Sequence, residues 1–242
     1  MGRLLAEEAI AAGADLVGGI DRPGAGVNGV ALLRDISALA IAAEVVIDFT
    51  HASTVAAHAA ALAEAGTAWV LGTTGLSAAD EAAVAAAAKQ IAVMHSPNYA
   101  PGVNLVLALA ERMAAALPGD LYDAEIVEMH HRQKVDAPSG TAIGLGRAVA
   151  RGRGVELDTV KESGRDGHTG ARKPGAIGFA ALRGGQVVGE HTLLFAAASE
   201  HIAITHRAFD RRAFATGAVR AALWVVGRPP GLYSMMDVLG MF

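Results

Sequence analysis

The sequence contains no cysteine, and aromatic residues make up only 5% of its 242 residues. Disulfide bonds, thiolate catalysis and cysteine-based zinc or iron–sulfur sites are therefore excluded. Its 20 lysine and arginine residues are outnumbered by 24 aspartate and glutamate residues, so there is no basic excess of the kind that binds nucleic acid. Polar residues or glycine interrupt the apolar runs before the roughly 20 residues that a membrane helix needs. We expect a globular protein of the cytoplasm, with no membrane or nucleic-acid partner.

The first hundred residues alternate short β-branched runs with alanine-rich stretches of helical length. This alternation is typical of βαβ units around a parallel sheet. It predicts strands over 15–20, 44–49, 68–71 and 91–95, and helices over 4–12, 54–65 and 78–89.

The pattern changes after residue 100. It predicts a helix over 103–117, a strand over 124–131, a helix over 139–151, strands over 177–182, 187–195 and 201–207, and a helix over 214–226. The stretch 161–173 is glycine-rich, charged and too long for a tight turn. We therefore predict an α/β protein of two domains. Residues 1–100 and 211–242 form one, and residues 101–210 form an α+β domain with an open mixed or antiparallel sheet.

Three protonatable or cationic side chains, His130, His131 and Lys134, lie within five positions of one another. After them comes Asp136-Ala-Pro-Ser-Gly-Thr141, where proline favours an extended turn and Ser, Gly and Thr leave backbone N–H groups open at a helix start. Such a helix start suits a bound carboxylate. The pattern therefore places anion binding next to proton transfer.

The run from Glu128 to Thr141 closely resembles the signature of the dihydrodipicolinate reductase family, which reads Glu-x-His-His-x-x-Lys-x-Asp-Ala-Pro-Ser-Gly-Thr. Further landmarks of the family stand in the expected order at 48–50, 72–75, 98 and 217–220. The resemblance covers essentially the whole chain. It implies NADPH- or NADH-dependent reduction of 4-hydroxy-tetrahydrodipicolinate to tetrahydrodipicolinate in lysine and diaminopimelate biosynthesis. It also implies a homotetramer, which open strand edges in residues 101–210 would favour.

The resemblance implies roles for the residues of this run. His130 serves as proton donor or acceptor, His131 contacts the substrate, and Lys134 binds a carboxylate of the cyclic dicarboxylate and supplies a proton. Gly140 and Thr141 offer the helix start to the same anion, although a plain helix cap would use the same groups. No metal site is predicted, because adjacent strand residues point to opposite faces and the remaining histidines show no zinc-ligand spacing.

Two segments that follow predicted strands are candidates for cofactor binding by the same resemblance. They are Gly72-Thr73-Thr74 and Ser96-Pro97-Asn98-Tyr99. Both would lie against the nicotinamide, at the carboxyl edge of the sheet where ligands of open α/β folds bind. For the first segment, an ordinary strand-to-helix turn is the alternative. This chain has Tyr99 and His51 where the family often has Phe and Arg.

Asp21 follows the predicted strand over 15–20, where an acidic residue can accept a hydrogen bond from a ribose hydroxyl of the cofactor. A solvated turn residue is the alternative. The next residue, Arg22, could pair with a 2′-phosphate. The pair therefore suggests use of both NADPH and NADH. Arg211 resembles a family arginine, and a surface salt bridge is equally consistent with its position.

Family members resemble one another in a first strand followed by Gly-x-x-Gly-x-Met-Gly-Arg, and Met1-Gly2-Arg3 matches the end of that pattern. We expect an N-terminally truncated member, with a Rossmann-like parallel sheet that lacks its first strand and with weak binding of NADPH. Two alternatives remain open at this point. One is another nicotinamide-dependent oxidoreductase, acting on an amino acid or imine such as aspartate, and the other is a non-catalytic nucleotide-binding module.

Overall fold

The computed structural model describes residues 1–21 and 29–241 and divides into two compact units. Unit 1 consists of Met1–Pro101 and Arg212–Phe242, and unit 2 of Gly102–Arg211. Within the described ranges, no helix is both long and apolar enough to cross a membrane. Arg22, the candidate partner of a 2′-phosphate, lies outside the described residues.

Unit 1 is built on a parallel sheet of four strands in the order β1-β2-β3-β9. The strands are β1 (Val45–Asp48), β2 (Ala68–Leu71), β3 (Ala92–His95) and β9 (Gly231–Tyr233). The helices are α1 (Gly2–Ala11), α2 (Ile36–Ala42), α3 (Val55–Ala65), α4 (Ala78–Ala87), α8 (Arg212–Val225) and α9 (Met235–Leu239), with a 3₁₀ turn at Ala52–Thr54. The parallel α/β character predicted from the sequence is confirmed.

Helices cover both faces of this sheet, as expected for a parallel sheet. Alternate residues of β2 enter different cores, because successive strand side chains point to opposite faces. Val70 packs in the cluster that includes α8, whereas Trp69 and Leu71 pack in the cluster that includes α2, α3 and α4. Packing on both faces of the sheet therefore fixes the positions of the carboxyl ends of the strands.

One predicted strand of unit 1 is absent from the structure. Residues 15–20 form a single parallel bridge, Gly19 with Leu32, and no regular strand. The backbones approach closely here, since a Cβ added to Gly18 would lie 2.9 Å from the carbonyl oxygen of Ala31. The apolar residues of this segment predicted a strand. A regular strand also needs a neighbouring strand to pair with, and the sequence of the segment alone does not show whether one is present.

Unit 2 is built on a mixed sheet in the order β5-β6-β4-β7-β8. The strands are β4 (Asp123–His130), β5 (Lys161–Ser163), β6 (Ile177–Arg183), β7 (Gly189–Ala196) and β8 (His201–Ala208). β4, β5 and β6 run parallel, while β7 and β8 are antiparallel to their neighbours. The helices are α5 (Pro101–Ala116), α6 (Gly140–Gly152) and α7 (Leu157–Val160). The predicted second sheet is therefore confirmed in its mixed form.

The central strand β4 alternates between a buried and a partly exposed face. Ala124 and Ile126 pack on its buried face against Leu145 and Val149 of α6. Glu128 and His130 continue the same face toward the carboxyl end of the strand. The core of unit 2 therefore ends in a pair of ionisable side chains.

The long glycine-rich segment after β5 is fastened to the start of β4 by arginines. Arg165 and Arg172 both donate hydrogen bonds to the carboxylate of Glu125, and Arg172 also reaches Asp123. A Cβ added to Gly178, opposite Glu125, would lie 2.0 Å from a carboxylate oxygen, so a larger residue would displace Glu125 from its arginines. These contacts lie on the face of β4 opposite to Glu128 and His130.

Candidate active site

A buried carboxylate and an imidazole lie at the carboxyl end of β4. Glu128 and His130 are two positions apart and therefore share a face of the strand. Nδ1 of His130 lies 2.6 Å from Oε2 of Glu128, and the two residues are only 8% and 1% exposed. Because an ionised carboxylate can only accept, Nδ1 carries the proton of this bond. Nε2 is then the nitrogen left for exchanging a proton.

Both oxygens of the Glu128 carboxylate accept hydrogen bonds. Arg183 of β6 donates to both of its oxygens at 2.8 Å, and the backbone N–H of Ser139 donates at 3.1 Å. Burial raises the pKa of Glu128, but the hydrogen bonds from Arg183, His130 and Ser139 outweigh it, and the pKa lies below its ordinary value. Glu128 is therefore ionised at neutral pH.

Burial, opposed by Glu128, lowers the pKa of His130 below its ordinary value of 6.5. The nearby cations Lys134 and Arg183 lower this pKa further. His130 is therefore mainly neutral at pH 7, and its Nε2 can accept a proton from a neighbouring group or solvent. A pKa below neutrality also makes the protonated imidazole a ready proton donor.

A second imidazole, His191 of β7, lies beside this pair. Its ring centre is 5.0 Å from that of His130, and its Nε2 lies 2.9 Å from Oγ of Ser139. Burial lowers the pKa of His191 to about 4, so the ring stays neutral. Ser139 also caps helix α6, since its Oγ accepts a hydrogen bond from the N–H of Ala142. His191 and Glu128 thus both hold the residue at the start of this helix.

Lys134 lies in the turn that follows β4. The backbone N–H of His131 donates to Val187, and that of Lys134 donates to His131, which shapes the turn. Nζ of Lys134 lies 2.8 Å from Oδ1 of Asp136. The hydrogen bond from Lys134 lowers the pKa of Asp136. The turn therefore holds an ammonium group between the end of β4 and the start of α6.

The structure brings most of the predicted substrate residues together within unit 2. His130 and Lys134 flank the turn, and Gly140 and Thr141 form the first residues of α6, whose cap is bonded to Glu128. His131 follows His130 directly, and within the described part of the chain its buried Nδ1 has no hydrogen-bond partner. An imidazole, an ammonium group and a helix N-terminus suit proton transfer to a bound anion.

In unit 1, the loop after β2 carries the candidate residues Gly72, Thr73 and Thr74. A Cβ added to Gly72 would lie 2.3 Å from the ring of Phe49, so any larger residue would displace that ring. Oγ1 of Thr73 is buried and has no hydrogen-bond partner among the described residues. A buried hydroxyl without a partner destabilises the folded protein unless a bound ligand forms a hydrogen bond with it. The loop therefore fits a bound polar group such as a cofactor amide or ribose.

The segment after β3 is fixed by its own side chains. Oγ of Ser96 donates to the carbonyl of Asn98, and the Asn98 side chain accepts from the N–H of Ala100. The hydroxyl of Tyr99 lies 2.7 Å from the carbonyl of Leu71, and burial raises the pKa of Tyr99. The Tyr99 side chain therefore ties the ends of β2 and β3 together. Pro97, like its neighbours, lies at the same carboxyl edge as the loop of Gly72.

Asp21 lines a cavity of about 630 Å³ in unit 1, together with Leu5 of α1, Gly18 and Val46 of β1. Asp48 at the end of β1 faces the same cavity and forms a buried pair with His58, with Nδ1 of His58 2.7 Å from the carboxylate. Burial raises the pKa of Asp48, but bonds from His58 and Thr50 bring it below its ordinary value. Arg211 is exposed, and its neighbour Arg212 forms the ion pairs with Glu7 and Glu8 instead.

Comparison with known proteins bears directly on both units. The model of the N-terminal part of dihydrodipicolinate reductase matches residues 1–99, and that of the C-terminal part matches residues 102–239. The chain belongs to the dihydrodipicolinate reductase family. It is accordingly an oxidoreductase that performs the reduction step of this family in lysine and diaminopimelate biosynthesis, and it uses a nicotinamide nucleotide. The possibility of a non-catalytic module is thereby rejected.

Relatives of known name are highly similar. The 4-hydroxy-tetrahydrodipicolinate reductase of Granulibacter bethesdensis is 71% identical over 244 aligned positions, which cover 100% of this chain and 93% of the relative. That of Acidiphilium cryptum is 61% identical, with coverage of 100% and 94%. A solved structure of dihydrodipicolinate reductase from Paenisporosarcina sp. TG-14, with dipicolinate bound, has a TM-score of 0.76 at 22% identity and coverage of 96% and 94%. The solved structure supports the fold of this chain.

Three residues around His130 were missed by sequence reasoning in this family member. Glu128 had a signal, since it stands two positions before a candidate histidine on a predicted strand. Arg183 and His191 gave no local signal, because they reach Glu128 and Ser139 through the register of β6 and β7 with β4. Such a register depends on tertiary packing and does not appear in either segment alone.

Proposed function

We propose that the cyclic dicarboxylate 4-hydroxy-tetrahydrodipicolinate binds at the carboxyl end of β4 in unit 2 and is reduced there to tetrahydrodipicolinate. The observation that carries this proposal is the cluster of His130, Lys134 and the α6 N-terminus around one turn. The names of the relatives give the substrate, and the local cations suit its two carboxylates.

Carboxylate binding is assigned to three groups. Lys134 offers a mobile ammonium group that can leave Asp136 for a substrate carboxylate of similar charge. Gly140 and Thr141 offer backbone N–H groups in the first turn of α6, where the helix dipole favours an anion, and Thr141 adds its hydroxyl. His131, whose buried Nδ1 has no hydrogen-bond partner among the residues that the structure describes, contacts the substrate ring or its second carboxylate. Together they fix the ring beside His130.

Proton transfer is assigned to His130 and Lys134. When bound, a nicotinamide nucleotide would supply a hydride to a ring carbon, so the net reaction takes up the hydride and one proton and releases the 4-hydroxyl group of the substrate as water. His130 keeps one proton on Nδ1 for Glu128, so the proton that moves is the one on Nε2. Lys134 can donate the proton with which the 4-hydroxyl group leaves as water, or neutralise the charge that develops. The proton that this elimination removes from the neighbouring ring carbon goes to solvent, so the net uptake stays at one proton. Both groups regain their protons from solvent.

Cofactor binding is assigned to unit 1. Gly72, Thr73 and Thr74 would contact the nicotinamide end through backbone groups and through the Thr73 hydroxyl, which has no partner in the described part of the chain. Residues 96–99 border the same edge, and Asp21 would accept from a ribose hydroxyl. We propose that both NADPH and NADH are used. A ribose hydroxyl suits Asp21, whereas a 2′-phosphate needs a cation such as Arg22.

The outer face of the unit 2 sheet supports a homotetramer. Val127 of β4 and Leu182 of β6 are exposed on strands whose other face is packed against helices. Strand β8 is the last strand of the described sheet, so its outer edge offers unpaired backbone groups. A symmetric association that covers this face would bury both features. We place the assembled enzyme in the cytoplasm, where nicotinamide nucleotides are maintained.

The test is substrate-dependent oxidation of NADPH and of NADH by the purified protein. We expect oxidation of both nucleotides with 4-hydroxy-tetrahydrodipicolinate and none with aspartate in its place. Thr141→Val should raise KM for the dicarboxylate about tenfold and leave KM for the nucleotide unchanged, because only the anion site loses a hydroxyl. Thr141→Ser is the matched control and should keep the KM of the original protein. Equal increases of KM for both ligands would contradict the assignment.

A further inference from the structure

His130, to which we assign proton transfer, is hydrogen-bonded to Glu128, a residue that has no role in the reaction proposed above. Glu128 is 1% exposed and accepts four hydrogen bonds, two from Arg183 and one each from His130 and Ser139. A carboxylate this deeply buried is costly to desolvate unless all of its lone pairs are used. The four bonds meet that requirement and leave the carboxylate one fixed orientation.

The strand register explains how these groups meet. In the parallel pair of β4 and β6, His130 lies opposite Arg183, so the guanidinium reaches back along the strand to Glu128. In the antiparallel pair of β4 and β7, Glu128 lies opposite His191, which in turn contacts Ser139. Three neighbouring strands and the start of α6 therefore hold one carboxylate in place.

A glycine lies close to Nε2, the other ring nitrogen of His130. A Cβ added to Gly189 of β7 would lie 3.0 Å from Nε2 of His130, closer than a side chain normally approaches. Glycine at this position leaves the Nε2 edge uncrowded, while Nδ1 is held by Glu128. The two nitrogens of the ring are thereby given different environments.

We propose that Glu128 is a positioning residue for the reduction: it fixes the tautomer and the orientation of His130, so that Nε2 is the nitrogen that transfers the proton. Arg183 and the N–H of Ser139 hold Glu128 itself. Because Ser139 begins α6, the same carboxylate sets the distance between the proton-transfer group and the anion-binding helix start. This inference rests on the proposed role of His130. An acidic partner that fixes an imidazole tautomer is a known device of acid–base catalysis.

The charges around His130 determine the direction of the expected pH effect. Glu128 on the same strand favours the imidazolium, while Lys134 in the following turn and Arg183 on β6 oppose it. His191 on β7 is kept neutral by burial and contributes no charge. Removal of the Glu128 charge leaves two cations facing His130, so the pKa of His130 should fall.

The first test compares the pH dependence of kcat/KM in Glu128→Gln with that of the original protein. The His130 inflection is identified as the one that disappears in His130→Gln. In Glu128→Gln, we expect turnover to fall by on the order of tenfold to a thousandfold and this inflection to move to lower pH. Glu128→Asp keeps the charge but shortens the reach, so it should lose turnover with a smaller shift of the inflection.

Glu125→Gln is the matched control. Glu125 lies on the same strand and is also bonded by two arginines, Arg165 and Arg172, but on the opposite face and away from His130. This variant should keep the inflection in place. An unmoved inflection in Glu128→Gln, or an equal shift in Glu125→Gln, would overturn the positioning role.

A second measurement tests the effect of Glu128 on the His130 ring without measuring turnover. Nitrogen chemical shifts of the ¹⁵N-labelled His130 ring report which nitrogen carries the proton and at which pH the ring titrates. We expect protonated Nδ1 in the original protein, and mixed tautomers with a lower pKa in Glu128→Gln. Full activity of His130→Gln would refute the catalytic role of His130, even if Glu128→Gln changes the tautomer or pKa of the His130 ring. An unchanged tautomer and pKa of the ring in Glu128→Gln would refute the positioning role of Glu128. Circular dichroism confirms that each variant is folded.

Discussion

In unit 1 the candidate ligand groups are backbone amides and small side chains that follow β2 and β3, whereas in unit 2 they are ionisable side chains on β4 and its turn. Gly72 and Thr73 contribute shape and one buried hydroxyl. His130, which is hydrogen-bonded to Glu128, and Lys134 are ionisable groups, to which we assign proton transfer and charge neutralisation. The difference corresponds to a division of labour, because a cofactor that carries its own hydride needs positioning, while the substrate needs neutralisation and a proton.

This contrast also predicts how each unit responds to substitution. Changes in unit 1 should alter affinity for the nucleotide and the stability of the loop, since the residues there act by fit. Under the proposed roles, substitution of His130 should alter turnover, and substitution of Lys134 should alter turnover and binding of the dicarboxylate.

The largest effect is expected for the proton-transfer group of unit 2. His130→Gln should lower kcat/KM by about 10²–10⁴-fold, the usual contribution of a general acid–base group, because Nε2 is lost as the exchanging nitrogen. The melting temperature should change little by comparison, since Gln can still donate to Glu128. Steady-state kinetics and a thermal melt measure both. Near-normal turnover would remove His130 from the mechanism.

A smaller effect is expected for the loop of unit 1. Gly72→Ala would place a Cβ 2.3 Å from the ring of Phe49, and relief of this overlap should cost about 1–3 kcal/mol of unfolding free energy. NADPH affinity should fall with it, because the loop must move. Gly2→Ala is the matched control, since its added Cβ meets no described atom within 4 Å and alanine favours a helix. Chemical denaturation would show equal stability of the two variants if the tight packing at Gly72 is unimportant.

The smallest effect is expected for a surface ion pair of unit 2. Arg151 and Glu111 form a 2.7 Å pair with side chains that are 59% and 43% exposed. Glu111→Gln should therefore cost no more than about 1 kcal/mol of stability, and the loss should shrink further as salt is added. Turnover should be unchanged. A loss of activity here would mean that turnover in unit 2 is sensitive to charge in general and not to the residues near His130.

Much of the fold could be predicted from local signals. Helix α4 begins with a capping box formed by Ser77 and Asp80, and α3 ends at Gly66 in the left-handed conformation, so both were predicted within two residues. Strand β9 was missed because three residues carry no pattern and pair only with the distant β3. Helix α9 had an unused signal in the capping box of Ser234 and Asp237.

The candidate site divides in the same way. The run from His130 to Thr141 is contiguous, so its side chains and the helix start could be predicted together. The bonds that orient it come from Arg183 and His191, which lie more than 50 residues downstream and depend on strand register. Likewise, the sequence alone gives no sign that the Thr73 hydroxyl is buried without a hydrogen-bond partner among the described residues, because this depends on its surroundings in the fold.

Calorimetric titration of two variants with two ligands tests the division of labour most directly. The ligands are NADPH and the planar dicarboxylate dipicolinate, and the variants are Lys134→Ala in unit 2 and Thr73→Val in unit 1. Our account predicts that Lys134→Ala weakens dipicolinate by about tenfold or more and leaves NADPH unchanged, because one charged hydrogen-bond donor is lost. It predicts the reverse for Thr73→Val, which should weaken NADPH and leave dipicolinate unchanged. Equal weakening of both ligands by either variant, or no effect of Thr73→Val on NADPH, would contradict it.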